Sequence, residues 1–266
     1  MTDAEHKLVA AGYDAVYAAT PKSPTLRRLW REYASGVDFP EGFDHISFVT
    51  ASQLSRMARE LRLSQGKTLV DLGCGMAGPS LWVARETGAT LVGVDVSVVA
   101  VAQATERATT LGLSKQASFV AGTFADTGLP SASTDGIMSE DALQYAPDKR
   151  ALFGEAARVL RAGGRLVFTA FEVDPAAVVG LPVIGADAID DYRPMLEEAG
   201  FTIEAYEEVA GWPEPMTAAY TAVRDAREAL ISEMGEPAFG ALAGEMSLTL
   251  ERKPYKRRVL AVATKK

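Results

Sequence analysis

Residues 68–80 read TLVDLGCGMAGPS, and this stretch decides the fold. An apolar run typical of a buried strand ends in three glycines, Gly73, Gly75 and Gly78, which are spaced G-x-G-x-x-G and followed by a proline. A glycine loop between a strand and a helix lets a cofactor approach the backbone, where the helix N-terminus presents unpaired N–H groups. The stretch therefore predicts a cofactor site at the carboxyl end of the strand.

Two cofactors fit this spacing: a dinucleotide held by its pyrophosphate and S-adenosylmethionine held by its methionine end. Asp71 stands just before the glycines, where a carboxylate would repel a pyrophosphate. S-adenosylmethionine has no phosphate and carries a sulfonium and an ammonium group, which a carboxylate can accept. Asp71 therefore favours S-adenosylmethionine. Asp95 ends the next apolar run, VGVDVS, and is suited to binding ribose hydroxyls, which both cofactors have.

Composition limits the class of protein and its partners. The chain has 266 residues, 48% of them hydrophobic and 23% charged, as in a soluble globular protein. No apolar run approaches the ~20 residues that span a bilayer, and the N-terminus carries acids, so we expect a cytoplasmic protein with no membrane partner. The formal net charge of −8 disfavours nucleic acid as a partner. One cysteine, Cys74, and two histidines offer no metal cluster.

Short apolar strands alternate with amphipathic helices from residue 67 onward, which predicts a parallel sheet with helices on both faces. We expect Ser97 and Asp148 to cap two of the helices. A sixth strand is expected after Gly200 and a seventh near the C-terminus. The other predicted strands are 68–72, 90–95, 117–121, 135–139 and 165–171, and the helices between them are 78–87, 97–112 and 149–160.

The predicted organisation has four parts. Residues 1–65 form an N-terminal helical lid, residues 66–210 the cofactor-binding core, residues 211–254 a helical cap inserted between strands six and seven, and residues 255–266 the last core strand. Lid and cap are expected to cover a pocket at the carboxyl ends of the strands, where open α/β sheets bind ligands.

One short run is strongly basic, RKPYKRR at residues 252–258. Because no aromatic or glycine-rich surface accompanies it, we expect a solvated turn that leads into the last strand. A site for an anionic ligand is the alternative.

Four stretches in order, VDLGCGMAGPS, VGVDVS, LPSASTDGIMSEDALQYAPDK and EAARVLRAGGRLVFT, cover roughly residues 67–169. With them the chain resembles class I S-adenosylmethionine-dependent methyltransferases, in the type 11 branch that includes ubiquinone- and menaquinone-biosynthesis enzymes and small-molecule methyltransferases of secondary metabolism. The resemblance implies a Rossmann-like α/β fold with seven strands, mostly parallel with the last antiparallel. It also implies transfer of a methyl group to an oxygen, nitrogen or carbon atom of a small metabolite.

The resemblance assigns residues to the parts of the cofactor. Asp71, Gly73 and Gly75 would line the methionine moiety, Asp95 the ribose and Val96 the adenine. After the third strand relatives carry an acid followed by a small residue.

This chain has Thr123 and Phe124 at those positions instead, so these two become the adenine contacts, with Asp126 as an alternative. Tyr17, in an N-terminal aromatic helix, is expected to close over the donor, with Tyr13 as the alternative.

Catalytic candidates follow the fourth strand, in SEDALQYAPD. The resemblance puts Glu140 near the methionine end of the donor, and Tyr145 replaces a histidine that acts as a base in some relatives. We expect Tyr145 or His45 to orient or deprotonate the acceptor, with Glu140 as a third candidate. Asp141 and Gln144 would face the acceptor.

Trp30 and Trp212 are candidates to line the acceptor cavity, with packing expected for at least one of them.

Two other functions remain open from the sequence. A protein that binds S-adenosylmethionine without transferring its methyl group would carry the same motifs. An NAD(P)-dependent oxidoreductase would share the glycine spacing but conflicts with Asp71. The expected partners are a small-molecule acceptor and a second copy of the chain in a homodimer.

Overall fold

The computed structural model describes residues 3–179 and 188–266, so parts of the predicted lid and core, residues 1–2 and 180–187, lie outside the described residues. Within the described residues a seven-stranded sheet forms the centre of the molecule. The strands are β1 Thr68–Leu72, β2 Thr90–Asp95, β3 Ala117–Ala121, β4 Thr134–Glu140, β5 Leu160–Val173, β6 Phe201–Glu208 and β7 Lys256–Lys265.

The sheet has the strand order β3-β2-β1-β4-β5-β7-β6. The pairs β1·β2, β1·β4, β2·β3 and β4·β5 are parallel, whereas β7 runs antiparallel to both β5 and β6. The prediction of a mostly parallel sheet with an antiparallel last strand is confirmed. The strand order reverses between β1 and β4, and ligands of open α/β sheets bind at the carboxyl ends of the strands beside such a reversal.

Two layers of helices cover the two faces of the sheet. α3, α4 and α5 pack on one face in a core that includes Leu69 and Met138, and α6 and α7 pack on the other in a core that includes Ile137 and Phe168. The predicted caps are present, because Ser97 Oγ accepts from Ala100 N at 3.0 Å and Asp148 Oδ1 accepts from Ala151 N at 2.9 Å. These helices are α3 Ala51–Leu61, α4 Gly78–Thr87, α5 Val98–Thr110, α6 Lys149–Val159 and α7 Arg193–Glu198.

A third core joins the two ends of the chain above the carboxyl edge of the sheet. Leu26, Leu29 and Trp30 pack there with Met216 and Phe239. The helices that contribute are α1 Asp3–Ala19, α2 Pro24–Leu29, a π-helical turn Trp30–Ser35, α8 Pro213–Asp225, α9 Arg227–Met234 and α10 Glu236–Arg252. Within the described ranges, no helix is both long and apolar enough to cross a membrane.

The basic run 252–258 is not the solvated turn that we expected. Lys253–Tyr255 form one 3₁₀ turn, but Arg252 and Arg258 are only 6% and 1% exposed. The reason is strand direction. Because β7 is antiparallel, its first residues lie at the edge where the parallel strands end, and Lys256 pairs with Val173 at the end of β5. The basic residues therefore enter the molecule beside the predicted pocket.

Candidate functional site

The glycine loop between β1 and α4 is closed against the end of β2. Gly73 N and Cys74 N donate to the carbonyl oxygen of Val94 at 2.8 and 3.1 Å, and Gly75 N donates to Asp95 Oδ2 at 2.8 Å. Gly75 has φ +50°, and a Cβ there would lie 2.9 Å from the hydroxyl of Tyr17. The absence of a side chain lets the α1 tyrosine lie directly over the loop.

Gly78, the third glycine, has a different neighbour. A Cβ on Gly78 would overlap the carbonyl oxygen of Asp44 and lie 2.7 Å from that of Phe43. The first turn of α4 therefore packs on the backbone of the loop that carries His45. This glycine joins two parts of the site.

Two carboxyl groups beside the loop, the buried Asp71 and the half-buried Glu140, have oxygens without hydrogen-bond partners among the described residues. Asp71 is 1% exposed, and neither of its carboxylate oxygens, nor Glu140 Oε1, is hydrogen-bonded to any residue that the structure describes. Burial, together with the nearby Asp95 carboxylate, raises the pKa of Asp71 to about 7. Burial and Asp71 raise the pKa of Glu140 well above its usual value. A cationic ligand group would stabilise both, so these residues fit the ammonium and sulfonium of S-adenosylmethionine.

The residues predicted to contact the ribose and the adenine lie at the ends of β2 and β3. Asp95 accepts from Gly75 N and, at 2.9 Å, from Ser97 N, which fixes the orientation of its carboxylate. Val96 follows it and is 55% exposed, as a residue that offers an apolar face to a ligand would be.

The predicted adenine contacts after β3 differ in their surroundings. Thr123 Oγ1 accepts from Asp126 N at 3.0 Å, while Asp126 Oδ1 accepts from Gly128 N at 3.2 Å, so both side chains are used within one local turn. The Phe124 ring lies beside Gly73, since a Cβ there would be 3.1 Å from it.

A cavity runs from the glycine loop to α10 and brings together Tyr17, Glu140, Tyr145 and His45. Its other walls are largely apolar. They include Val16, Trp30, Ile46, Phe48, Phe171, Met216, Leu242 and Met246.

The two tryptophans proposed from the sequence differ. Trp30 lines the cavity, whereas Trp212 is not among the described residues lining it and packs against Phe171 with 5.2 Å between ring centroids.

A row of tyrosines crosses this cavity and ends at a half-buried acid, Glu245. The Tyr17 and Tyr13 rings stack with centroids 6.1 Å apart, and Tyr13 meets Tyr145 edge-on at 5.7 Å. Tyr145 Oη donates to Glu245 Oε1 at 2.6 Å, and Tyr13 Oη donates to the same oxygen at 3.3 Å. Burial and the Glu245 carboxylate raise the pKa of Tyr145 well above its usual value, so the phenol keeps its proton.

His45 is a buried, neutral imidazole on the cavity wall. Its Nδ1 is 3.1 Å from the carbonyl oxygen of Ser47 and 3.2 Å from the Ser47 hydroxyl. Because the carbonyl can only accept whereas the hydroxyl can accept or donate, a proton on Nδ1 satisfies both contacts, so we assign the proton to Nδ1 and leave Nε2 as an acceptor. Nε2 has no hydrogen-bond partner within residues 3–179 and 188–266. Burial lowers the pKa of His45 to about 4.

Asp141 connects three parts of the site. Its carboxylate accepts from Arg258 twice, Nε to Oδ1 at 2.8 Å and Nη2 to Oδ2 at 3.0 Å, and Phe48 N donates to Oδ2 at 3.3 Å. Its φ of +50° is unusual for a residue with a side chain. Asp141 lines the cavity, as does Gln144, and it fastens the loop after β4 both to β7 and to the loop that carries His45.

The chain is similar to known methyltransferases. A family model described as a methyltransferase domain matches residues 70–168. The 27-O-demethylrifamycin SV methyltransferase of Amycolatopsis mediterranei is 27% identical over 226 residues, which cover 81% of each chain. Methyltransferase GfsG of Streptomyces halstedii is 29% identical over 208 residues, 74% of each chain.

The chain is a class I S-adenosylmethionine-dependent methyltransferase. Its methyl donor is S-adenosylmethionine. Neither of these two curated relatives is an oxidoreductase, and Asp71 opposes the binding of a pyrophosphate, so nothing supports that alternative.

The methyltransferase shares its whole architecture with a protein of another reaction class. The crystal structure of the [4+2]-cyclase SpnF superposes with a TM-score of 0.76, covering 97% of this chain and 95% of that one at 23% identity. This likeness concerns the fold alone. Reaction type has to be argued from the side chains in the cavity.

Three residues of the methyltransferase site were not found from its sequence. Glu245 lies in the inserted helices, where no motif marks it, and only its position as a lone acid between Leu242, Met246 and other apolar residues was a signal. Arg252 and Lys256 line the same cavity, although we expected a solvated turn there and kept a site for an anionic ligand only as the alternative.

Proposed function

We propose that this methyltransferase methylates a hydroxyl oxygen of a largely apolar small molecule, with His45 as the general base. The observation that carries the proposal is the state of His45. It is neutral, it lines the cavity, and its Nε2 is an acceptor without a partner in the described part of the chain. The name of the rifamycin relative, which states an O-methylation, supports an oxygen acceptor.

We assign the cofactor contacts to the positions predicted from the sequence. Asp71, Gly73, Gly75 and Glu140 would hold the methionine end, where the two carboxyl groups face a cationic group. When bound, S-adenosylmethionine supplies an electrophilic methyl group on a positively charged sulfur.

Asp95 would bind the ribose, and Val96, Thr123 and Phe124 the adenine. Tyr17 covers the loop from α1.

His45 would take the acceptor proton at Nε2. A base with a pKa of about 4 is weak towards a free alcohol. As the hydroxyl oxygen gains a bond to carbon, however, its proton becomes strongly acidic, and a weak neutral base can then accept it. The Ser47 carbonyl holds the ring in the required tautomer, and the Asp141 carboxylate favours the imidazolium that forms.

The other two candidates suit different tasks. Tyr145 donates a hydrogen bond to Glu245 and keeps its proton, so it would orient the acceptor rather than deprotonate it. Glu140 is half-buried near Asp71, and its raised pKa favours the protonated acid. It suits the cofactor end of the cavity better than the acceptor end.

Most of the rate enhancement would come from positioning and exclusion of water. Alignment of two reactants can lower the barrier by about 7–11 kcal/mol, whereas a general base typically raises the rate by about 10²- to 10⁴-fold, or roughly 3–5 kcal/mol.

The proposed parts of the chain are a lid at residues 1–65, a core at 66–210, a cap at 211–254 and the last core strand at 255–266. Packing of α1, α2 and the turn Trp30–Ser35 against α8, α9 and α10 supports a lid and a cap that meet over the cavity.

The experiment is methyl transfer from S-adenosylmethionine to a panel of hydroxylated, largely apolar small molecules that includes 27-O-demethylrifamycin SV, read by mass spectrometry. We expect a methylated product, and we expect His45→Gln to lower kcat by about 10²- to 10⁴-fold while cofactor affinity is retained. Tyr145→Phe, which keeps the ring, should lose less. Near-full turnover by His45→Gln would refute the base, and cofactor binding without any methylated product would favour the non-transferring alternative.

Location and partners belong to the proposal as well. A net charge of −8 supports a protein that binds no nucleic acid, and we propose a cytoplasmic location and a homodimer. Fractionation of the producing cells and sedimentation of the purified chain test the last two.

A further inference from the structure

The antiparallel strand β7 places a cation at the acceptor end of the cavity. Lys256 begins β7 opposite Val173, and its side chain lies on the same side of the strand as that of Arg258, two residues on. Lys256 Nζ lies 5.1 Å from the centroid of the Phe171 ring, on the cavity wall. The cation is therefore at the catalytic edge of the sheet and not on the outer surface.

This cation has no anionic partner in the structure as described. No hydrogen bond or ion pair joins Lys256 Nζ to any residue within the described ranges, although the residue is half-buried. Burial lowers its pKa to about 8, which reflects the cost of holding the charge away from water. Arg252 lines the same cavity and adds a second positive charge nearby.

The two acids whose charges act on Lys256, Glu245 and Asp141, form their hydrogen bonds with other residues. Asp141 forms two hydrogen bonds with Arg258. Glu245 accepts from Tyr145 and Tyr13, and burial raises its pKa. The positive charge of Lys256 is therefore not neutralised by a contact ion pair at this end of the cavity.

We propose that the methyl acceptor carries a carboxylate, and that Lys256 binds it. The inference rests on the proposed function, because it names the charge class of the acceptor in the same cavity. The apolar walls around Trp30, Phe48 and Phe171 would hold the rest of the molecule. A carboxylate at Lys256 would form a charge-assisted hydrogen bond with Nζ. Because folding has already removed part of the water around the ammonium group, binding does not have to supply that part of the desolvation cost again.

The test measures binding and does not depend on turnover. The protein is saturated with S-adenosylhomocysteine, which has no methyl group to transfer, and is titrated with four aromatic carboxylates, including 2-naphthoate, and with their four uncharged amides. We expect at least one carboxylate to bind about 10- to 100-fold more tightly than its amide, as a hydrogen bond between charged groups allows. A panel in which no carboxylate is preferred refutes the proposal.

Lys253 provides a matched control in the same basic run. Its Nζ donates to Thr217 Oγ1 at 2.8 Å, and it is not among the described residues that line the cavity. Lys256→Met should remove the preference for the carboxylate, Lys256→Arg should keep most of it, and Lys253→Met should keep all of it. Unchanged S-adenosylhomocysteine affinity verifies that each variant is folded. A preference that survives in Lys256→Met would assign the carboxylate to another residue and overturn the inference.

Discussion

Replacement of Arg258 by methionine would test how strongly the site depends on its buried ion pair. The side chains of Arg258 and Asp141 are 1% and 7% exposed and share two hydrogen bonds. Arg258→Met removes the cation but keeps an apolar side chain of similar length. The Asp141 carboxylate then stays buried with the single donor Phe48 N. Breaking a buried pair in this way typically costs about 3–5 kcal/mol.

Urea unfolding at pH 7, followed by circular dichroism and tryptophan fluorescence, measures this cost. With an m-value near 3 kcal/mol/M, a loss of about 3–5 kcal/mol lowers the midpoint by roughly 1 to 2 M. Adding Asp141→Asn should restore part of the loss, because asparagine is uncharged and tolerates the positive φ. Arg224→Met breaks a pair with Asp225 whose side chains are 72% and 64% exposed, and should leave the midpoint unchanged.

The reasoning would be refuted if Arg258→Met lowered the midpoint no more than Arg224→Met does. It would also be refuted if the double variant were less stable than Arg258→Met alone, since the penalty would then not come from the unpaired carboxylate.

Three further predictions concern the cofactor loop and the base. Affinity for S-adenosylmethionine, measured by calorimetry, should rise from pH 6 to pH 8, because the ligand is cationic and Asp71, whose pKa is about 7, ionises over that range. The Asp71→Asn variant should bind weakly, with an affinity that does not change with pH. Gly78→Ala should lower the melting temperature, since the added Cβ would overlap the Asp44 carbonyl at a cost of about 1–3 kcal/mol. Gly154→Ala is the control and should not lower it, because the space around a Cβ at that position in α6 is open. Turnover at saturating cofactor should fall only as the pH approaches about 4, where His45 becomes protonated, and a decline centred near 6.5 would contradict a buried, neutral base.

Local pattern predicted the first four strands well because they are short, apolar and bounded by glycine or acid, whereas β5, predicted at 165–171, extends over Leu160–Val173. The first three strands begin and end at the predicted residues, and helix α4 has the predicted bounds of 78–87. Ser97 and Asp148 cap their helices because each accepts a hydrogen bond from the first turn, a purely local interaction.

The rest of the site depends on contacts between distant parts of the chain. Asp141 and Arg258 are paired by strand order, and no local pattern relates them. A run of basic residues normally lies in solvent, which is why a solvated turn was predicted for 252–258. The antiparallel direction of β7, which no local pattern indicates, brings this run to the cavity instead. Glu245 joins α10 to Tyr145 across the cavity, and its role depends on how the inserted helices dock.

The start of β7 also bears on attempts to exchange acceptor specificity between relatives. The inserted helices α8, α9 and α10 end at Arg252, and within a few residues the chain supplies Lys256 to the cavity and Arg258 to Asp141. Consider a chimera in which this chain receives the inserted helices of a relative. With a junction at residue 255 it would keep its own Lys256 and Arg258 but lose Glu245. A junction after residue 258 would replace all three together. The position of that junction would therefore decide whether the graft transfers a complete acceptor pocket or one whose charges no longer match.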